Sequence, residues 1–189
     1  MQDLSPIGWA LRPLKNYARF SGRASRAEFW WFFLFMMILY IGMWVVLFAT
    51  LGLAASSGSK PSIGLLGAFG IGWILLALFW LAMIIPTIAV QVRRLHDTDR
   101  SGWWIGGFYL AYLVYVIFMI RIVASLQIPA TGAPPDLSPM SGMGALSYVG
   151  FAFFVYSIVL LVFFCIGGTE GPNRYGDDPY GRKIEEVFA

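Results

Sequence analysis

One cysteine and one histidine are all that this 189-residue chain offers to redox or metal chemistry. Cys165 has no second cysteine to bridge, and at the end of an apolar run it reads as a small packed hydrophobe. His96 alone does not supply the clusters that zinc sites require. Charge is scarce as well, at 12% of residues against 59% hydrophobic, and this excludes an ordinary soluble domain. The long apolar runs do not alternate with polar residues, as in Leu34 to Tyr40 and Val155 to Phe164, so they do not read as barrel strands. No acidic or paired ionisable residue lies mid-run, which argues against a proton or ion relay. A cofactor motif is also missing: the glycine-rich stretch after residue 166 lacks the spacing, and the Lys followed by Ser or Thr, of a phosphate loop. No cofactor, metal or nucleic-acid partner is expected.

Four apolar runs remain, each near the 20 or so residues that a helix needs to cross a hydrocarbon core. They predict an all-α membrane protein, a four-helix transmembrane bundle in one domain with spans at 29–55, 63–90, 103–122 and 144–166. A cytoplasmic segment (1–28), a cytoplasmic loop (91–102), an outer loop (125–143) and a cytoplasmic tail (167–189) complete it. No cleavable signal peptide is expected, because a polar and basic stretch precedes a first run too long for a signal core. Of the 13 Lys and Arg residues all but Lys60 and Arg121 fall on the side of the chain ends, which predicts cytoplasmic termini. Arg121, far along its helix, is expected to extend its guanidinium to the outer interface. The outer loops, with Asp136 the only acid in the longer one, read as tethers. The bacterial inner membrane is the expected location.

Three charged blocks lie on the basic side. The first opens with Ile7 to Phe20, where Ile7, Leu11, Leu14 and Ala18 share one helical face and Arg12, Lys15 and Arg19 another. That pattern predicts an interfacial amphipathic helix beginning near Arg12, with Pro13 in its first turn. Ser25 and Glu28 have capping-box spacing and should start the first span, with Trp30 and Trp31 at headgroup level. Arg23 and Arg26 beside that helix start suggest an anion pocket.

The second block runs from Arg93 to Trp104. If its helix continues past Pro86, Arg93 and Asp97 lie one turn apart and can pair, while Asp99 or Ser101 can cap the next helix. Pro86 should kink its own helix, a feature tolerated in membranes when neighbours supply the freed hydrogen bond. Gly64, Gly67, Gly70 and Gly72 in the same helix favour close approach of another helix. The third block, Gly167 to Pro179, predicts successive tight turns that carry Asp177 and Asp178 back toward the arginines.

With these motifs in order, the chain resembles the bacterial inner-membrane proteins of the domain-of-unknown-function family 805. The resemblance rests on Phe20-Ser21-Gly22-Arg23 with Arg26, Glu28 and Trp30, and on Arg93-Arg94-Leu95-His96-Asp97 with Arg100-Ser101-Gly102-Trp103. It continues in Gly168-Thr169 with Gly171, Asn173, Tyr175, Gly176, Asp178 and Pro179. It implies a small multi-pass membrane protein and supplies no activity, cofactor or catalytic residue.

The expected function is therefore that of a non-enzymatic structural, scaffold or binding protein. Its candidate binding residues are Arg23, Arg26, Glu28, Arg93, Arg94, His96, Asp97, Arg100, Asn173, Tyr175 and Asp178, suited to an acidic lipid headgroup or an acidic segment of a membrane-protein partner. Self-association is left open. The alternatives are an enzyme on a lipid headgroup or phosphoester, with His96 as base oriented by Asp97 or Asp178, and a small transporter.

Overall fold

Long apolar runs with no polar face leave the backbone one solution in lipid, which is to satisfy its own hydrogen bonds within helices. A computed structural model of the protein, which describes residues 4–56, 63–125 and 143–181, has that form. Its helices are α1 (Pro6–Lys15), α2 (Arg26–Ser56), α3 (Ile63–Asp97), α4 (Trp103–Ser125) and α5 (Met143–Cys165). Four are long and apolar enough to cross a membrane, over Arg26–Leu53, Phe69–Asp97, Trp103–Ala124 and Leu146–Cys165. Large side chains on all four are turned outward, among them Val46, Trp80, Leu110 and Phe151. Apolar surface on that scale is untenable in water and ordinary in lipid. The outer loops, Lys60, Asp136, Arg182 and Lys183 lie outside the described residues.

The chain forms two compact units, residues 1–99 with 167–189, and residues 100–166. In the first, α1 packs on α2 and α3, which also pack on each other. Trp44 meets Trp73 edge to face at 5.4 Å, and a Cβ at Gly72 would make only ordinary contact with Leu47 of α2. Gly67 and Gly70 have no neighbour at the position a Cβ would take.

Two helix boundaries differ by more than a turn from those expected, each for a local reason. The amphipathic helix starts at Pro6 rather than near Arg12, because Ser5 accepts the Gly8 amide at 3.2 Å and Pro6 supplies a preset first turn. Pro13 then sits inside α1, where it removes one amide donor close to the helix end. α3 runs unbroken through Pro86 to Asp97, so the Arg93–Asp97 stretch is helix and not loop. The carbonyl that Pro86 leaves without an amide partner is that of Ala82, and it accepts the hydroxyl of Tyr17. α3 closes with the Thr98 and Asp99 amides on the Leu95 and His96 carbonyls, Asp99 taking a left-handed φ of 56°.

In the second unit α4 and α5 run antiparallel and pack through aromatic side chains. Phe108 stacks on Tyr156 with ring centroids 5.6 Å apart, Trp104 meets Phe163 edge to face, and the Tyr156 hydroxyl donates to the Trp104 carbonyl at 2.7 Å. Ser101 accepts the Trp103 amide at 3.3 Å at the start of α4, so Ser101 is the cap and Asp99 is used elsewhere.

Candidate functional site

Ser25 ends the first charged block by accepting the Glu28 amide at 3.1 Å, which starts α2 one residue later, at Arg26. Glu28 does not return the bond in capping-box fashion. Its carboxylate instead takes Arg93 Nη1 at 2.6 Å and lies 3.5 Å from Arg12 Nε. Successive residues on an α-helix point about 100° apart, so Arg94 faces elsewhere. It pairs with Asp97 Oδ2. Arg93 is thus held by Glu28, and the expected Arg93–Asp97 pair does not form.

Asp97 is the centre of the first unit's polar cluster. Arg23 brings Nε and Nη2 each to 2.9 Å from Asp97 Oδ1, and both side chains are fully buried. The remaining donors of Arg23 reach the segment after α5, with Nη1 at 2.6 Å from the Gly171 carbonyl and Nη2 at 2.5 Å from that of Thr169. The Asp97 carbonyl in turn accepts the Thr169 amide at 2.8 Å. Asp97, through its carboxylate and its backbone carbonyl, therefore joins residues from all three blocks, and Asp178, also buried, lies close enough for its charge to act on Asp97. Buried charges of this kind persist only when paired and hydrogen-bonded, and here every nitrogen of Arg23 and both oxygens of Asp97 are engaged.

The third block folds so that this contact can be made. Gly168 lies against Asp97 so closely that a Cβ there would overlap the carboxylate. Asn173 and Gly176 exchange backbone hydrogen bonds at 3.0 Å across a tight turn, and the φ of 137° at Gly176 is one that L side chains rarely adopt. Asn173 Nδ2 donates to the His96 carbonyl and to Thr169 Oγ1, both at 2.9 Å, pinning the turn to the end of α3. His96 lies flat on Tyr175, with centroids 3.8 Å apart and planes at 3°, and its Nδ1 donates to the Gly22 carbonyl at 3.2 Å. Arg174 pairs with Asp99 at 3.0 Å on the exposed rim.

Of the candidate residues, Arg23, Glu28, Arg93, Arg94, His96, Asp97, Asn173, Tyr175 and Asp178 all belong to this region of the first unit. Arg26 is exposed there, with its amide donating to the Tyr180 hydroxyl at 3.1 Å. Arg100 belongs to the second unit, where its guanidinium lies 4.0 Å from the Phe163 ring centroid. Tyr17, Gly168 and Tyr180 take part without having been expected as site residues. Tyr17 had a legible signal in principle, since any proline inside a helix frees a carbonyl four residues earlier.

This arrangement is built to hold segments together. Both oxygens of Asp97 accept from arginine side chains, and one face of His96 is covered by Tyr175. Among the described residues no three His, Cys, Asp or Glu side chains gather in a way that could hold a metal. The N-terminal segment, the end of α3 and the segment after α5 meet at Asp97, so they share one side of any bilayer the helices cross.

Residues 17–177 match the family model described as "Protein of unknown function (DUF805)". The chain is 35% identical to inner membrane protein YhaI of Escherichia coli K12 over 172 residues, 90% of this chain and 94% of that protein. Inner membrane protein YhaH of the same organism is 32% identical over 173 residues, 92% and 97% of the two chains. Uncharacterized protein YiiR is 29% identical over 162 residues, 84% of each. No solved structure matches the chain.

Proposed function

The chain belongs to the DUF805 family, and from that premise we propose that it is a non-catalytic inner-membrane scaffold whose buried polar cluster is a clasp and whose exposed basic face meets acidic lipid headgroups. The observation that carries this reading is the internal pairing at Asp97: the arginines nearest it are spent on the protein itself. A clasp that ties the segment before α2, the end of α3 and the segment after α5 fixes the register of the membrane helices. Buried ionic groups can specify a packing arrangement in this way, even where their contribution to net stability is small.

Basic residues available to headgroups include Lys15, Arg19 and Arg26 of the N-terminal segment, all exposed. With α1 lying in the interface and this face turned to the cytoplasm, each of them adds about 1 kcal/mol of attraction to an anionic leaflet. The excess of Lys and Arg on this side of the chain supports that orientation. The test is the lipid retained by the full chain after extraction in mild detergent, measured by native mass spectrometry. Phosphatidylglycerol should be enriched over phosphatidylethanolamine in the wild type, and replacing Lys15, Arg19 and Arg26 together with Gln should remove the enrichment while leaving the folded yield unchanged. Equal enrichment in the two proteins would sink the proposal.

A further inference from the structure

Arg23 and Arg93 are both buried, and their guanidinium groups are in opposite states. Arg23 turns Nε and Nη2 on Asp97 and has every nitrogen engaged. Arg93, with its side chain 4% exposed, uses Nη1 alone, on Glu28. Its Nε and Nη2 are buried and have no hydrogen-bond partner among the described residues. These two nitrogens form the side-on edge of the guanidinium, a pair of parallel donors that fits two oxygens of one oxyanion. A buried donor edge without an acceptor is rare in folded proteins and costly.

The charges around it point the same way. Glu28 lies between Arg93 at 2.6 Å and Arg12 at 3.5 Å, so two cations share one carboxylate. Glu28 is also in the first turn of α2, whose N-terminal end carries partial positive charge. α1 packs on both α2 and α3 and reaches this corner through Arg12. Arg12, whose side chain is 42% exposed and whose contact with Glu28 is the longer of the two, is the partner of Glu28 best able to give way. Arg93 lies four residues before α3 closes at Asp97, at the end of a helix long and apolar enough to cross a membrane, and at such an end lipid phosphates are the abundant anion.

We propose that the Nε and Nη2 edge of Arg93 is the receptor for a single phosphate group, admitted as Arg12 yields. The phosphate belongs to an acidic phospholipid headgroup or is free in solution. This rests on the reading of the neighbouring basic face as a headgroup surface and adds to it a stoichiometric site.

The experiment uses the full-length protein in detergent and titrates phosphatidylglycerol, phosphatidylcholine and inorganic phosphate into three forms: wild type, Arg93→Lys and Arg12→Gln. Native mass spectrometry reads the stoichiometry and thermal unfolding reads the protection. Wild type should take up one tightly held phosphatidylglycerol or one phosphate per chain, and which of the two protects identifies the source. Arg93→Lys keeps a donor for Glu28 but has no side-on edge, and should bind about tenfold more weakly or worse. Arg12→Gln leaves the edge intact and removes the yielding partner of Glu28, and should load faster without losing the one-to-one stoichiometry. Equal binding by wild type and Arg93→Lys overturns the site while leaving the headgroup surface standing. Wild type that shows no saturable single uptake overturns the site even if Arg93→Lys does not fold. No preference for phosphatidylglycerol over phosphatidylcholine, together with no phosphate binding, overturns both readings.

Discussion

Tyr17 donates its hydroxyl to the carbonyl of Ala82, four residues before Pro86. Pro86 has no amide hydrogen, so this carbonyl has lost its helical partner, and a side chain from outside the helix replaces it. The same bond anchors the segment following α1 against α3. A proline inside a membrane helix and a tyrosine 65 residues before Ala82 are thus one structural device.

Removal of that hydroxyl should destabilise the protein only while Pro86 is present. Tyr17→Phe is expected to cost about 1 kcal/mol in detergent unfolding experiments. In a Pro86→Ala background the restored amide bonds Ala82, and the cost of Tyr17→Phe should shrink toward zero. An equal cost in both backgrounds would show that the hydroxyl serves something other than the freed carbonyl.

Asp97→Asn should be among the most destabilising substitutions in the chain. It leaves Arg23 and Arg94 buried beside a neutral amide, and breaking a buried pair in this way costs about 3 to 5 kcal/mol. Arg174→Gln breaks an exposed pair with Asp99 and should cost about 0 to 1 kcal/mol. Comparable losses of folded yield and melting temperature in the two variants would contradict the clasp.

Neighbouring glycines should respond differently to the same change. A Cβ at Gly168 falls on the Asp97 carboxylate, so Gly168→Ala must displace the tail or the carboxylate, at about 1 to 3 kcal/mol. At Gly167 a Cβ meets nothing within 4 Å, and Gly167→Ala should stay within about 0.5 kcal/mol of wild type. Unfolding midpoints of the two variants decide the matter, and a tolerant Gly168 would count against the close contact.

Cys165 supplies a built-in probe of sidedness, because no part of the protein covers it and it is the last residue of α5, at the end of the span and three residues before Gly168. With the clasp on the cytoplasmic side, an impermeant maleimide should leave it unlabelled in intact spheroplasts and modify it once the membrane is permeabilised. Labelling of intact spheroplasts would reverse the orientation and with it the proposed headgroup surface.

The sequence by itself determined the four membrane helices, the start of α2 after Ser25 and the existence of three charged blocks. Each is a local property: hydropathy summed over some 20 residues, or a cap placed three residues from its partner. Tertiary structure decided the partners. Arg93 and Arg94 are adjacent and chemically identical, yet one faces Glu28 and the other Asp97, because a helix turns its side chains by about 100° per residue. Arg23 meets Asp97 across 74 residues of sequence, and Gly168 is required only because the chain returns after α5 to that same carboxylate. Electrostatic attraction is blind to sequence position, so which charge answers which depends on the packing that brings them within a few ångströms of each other.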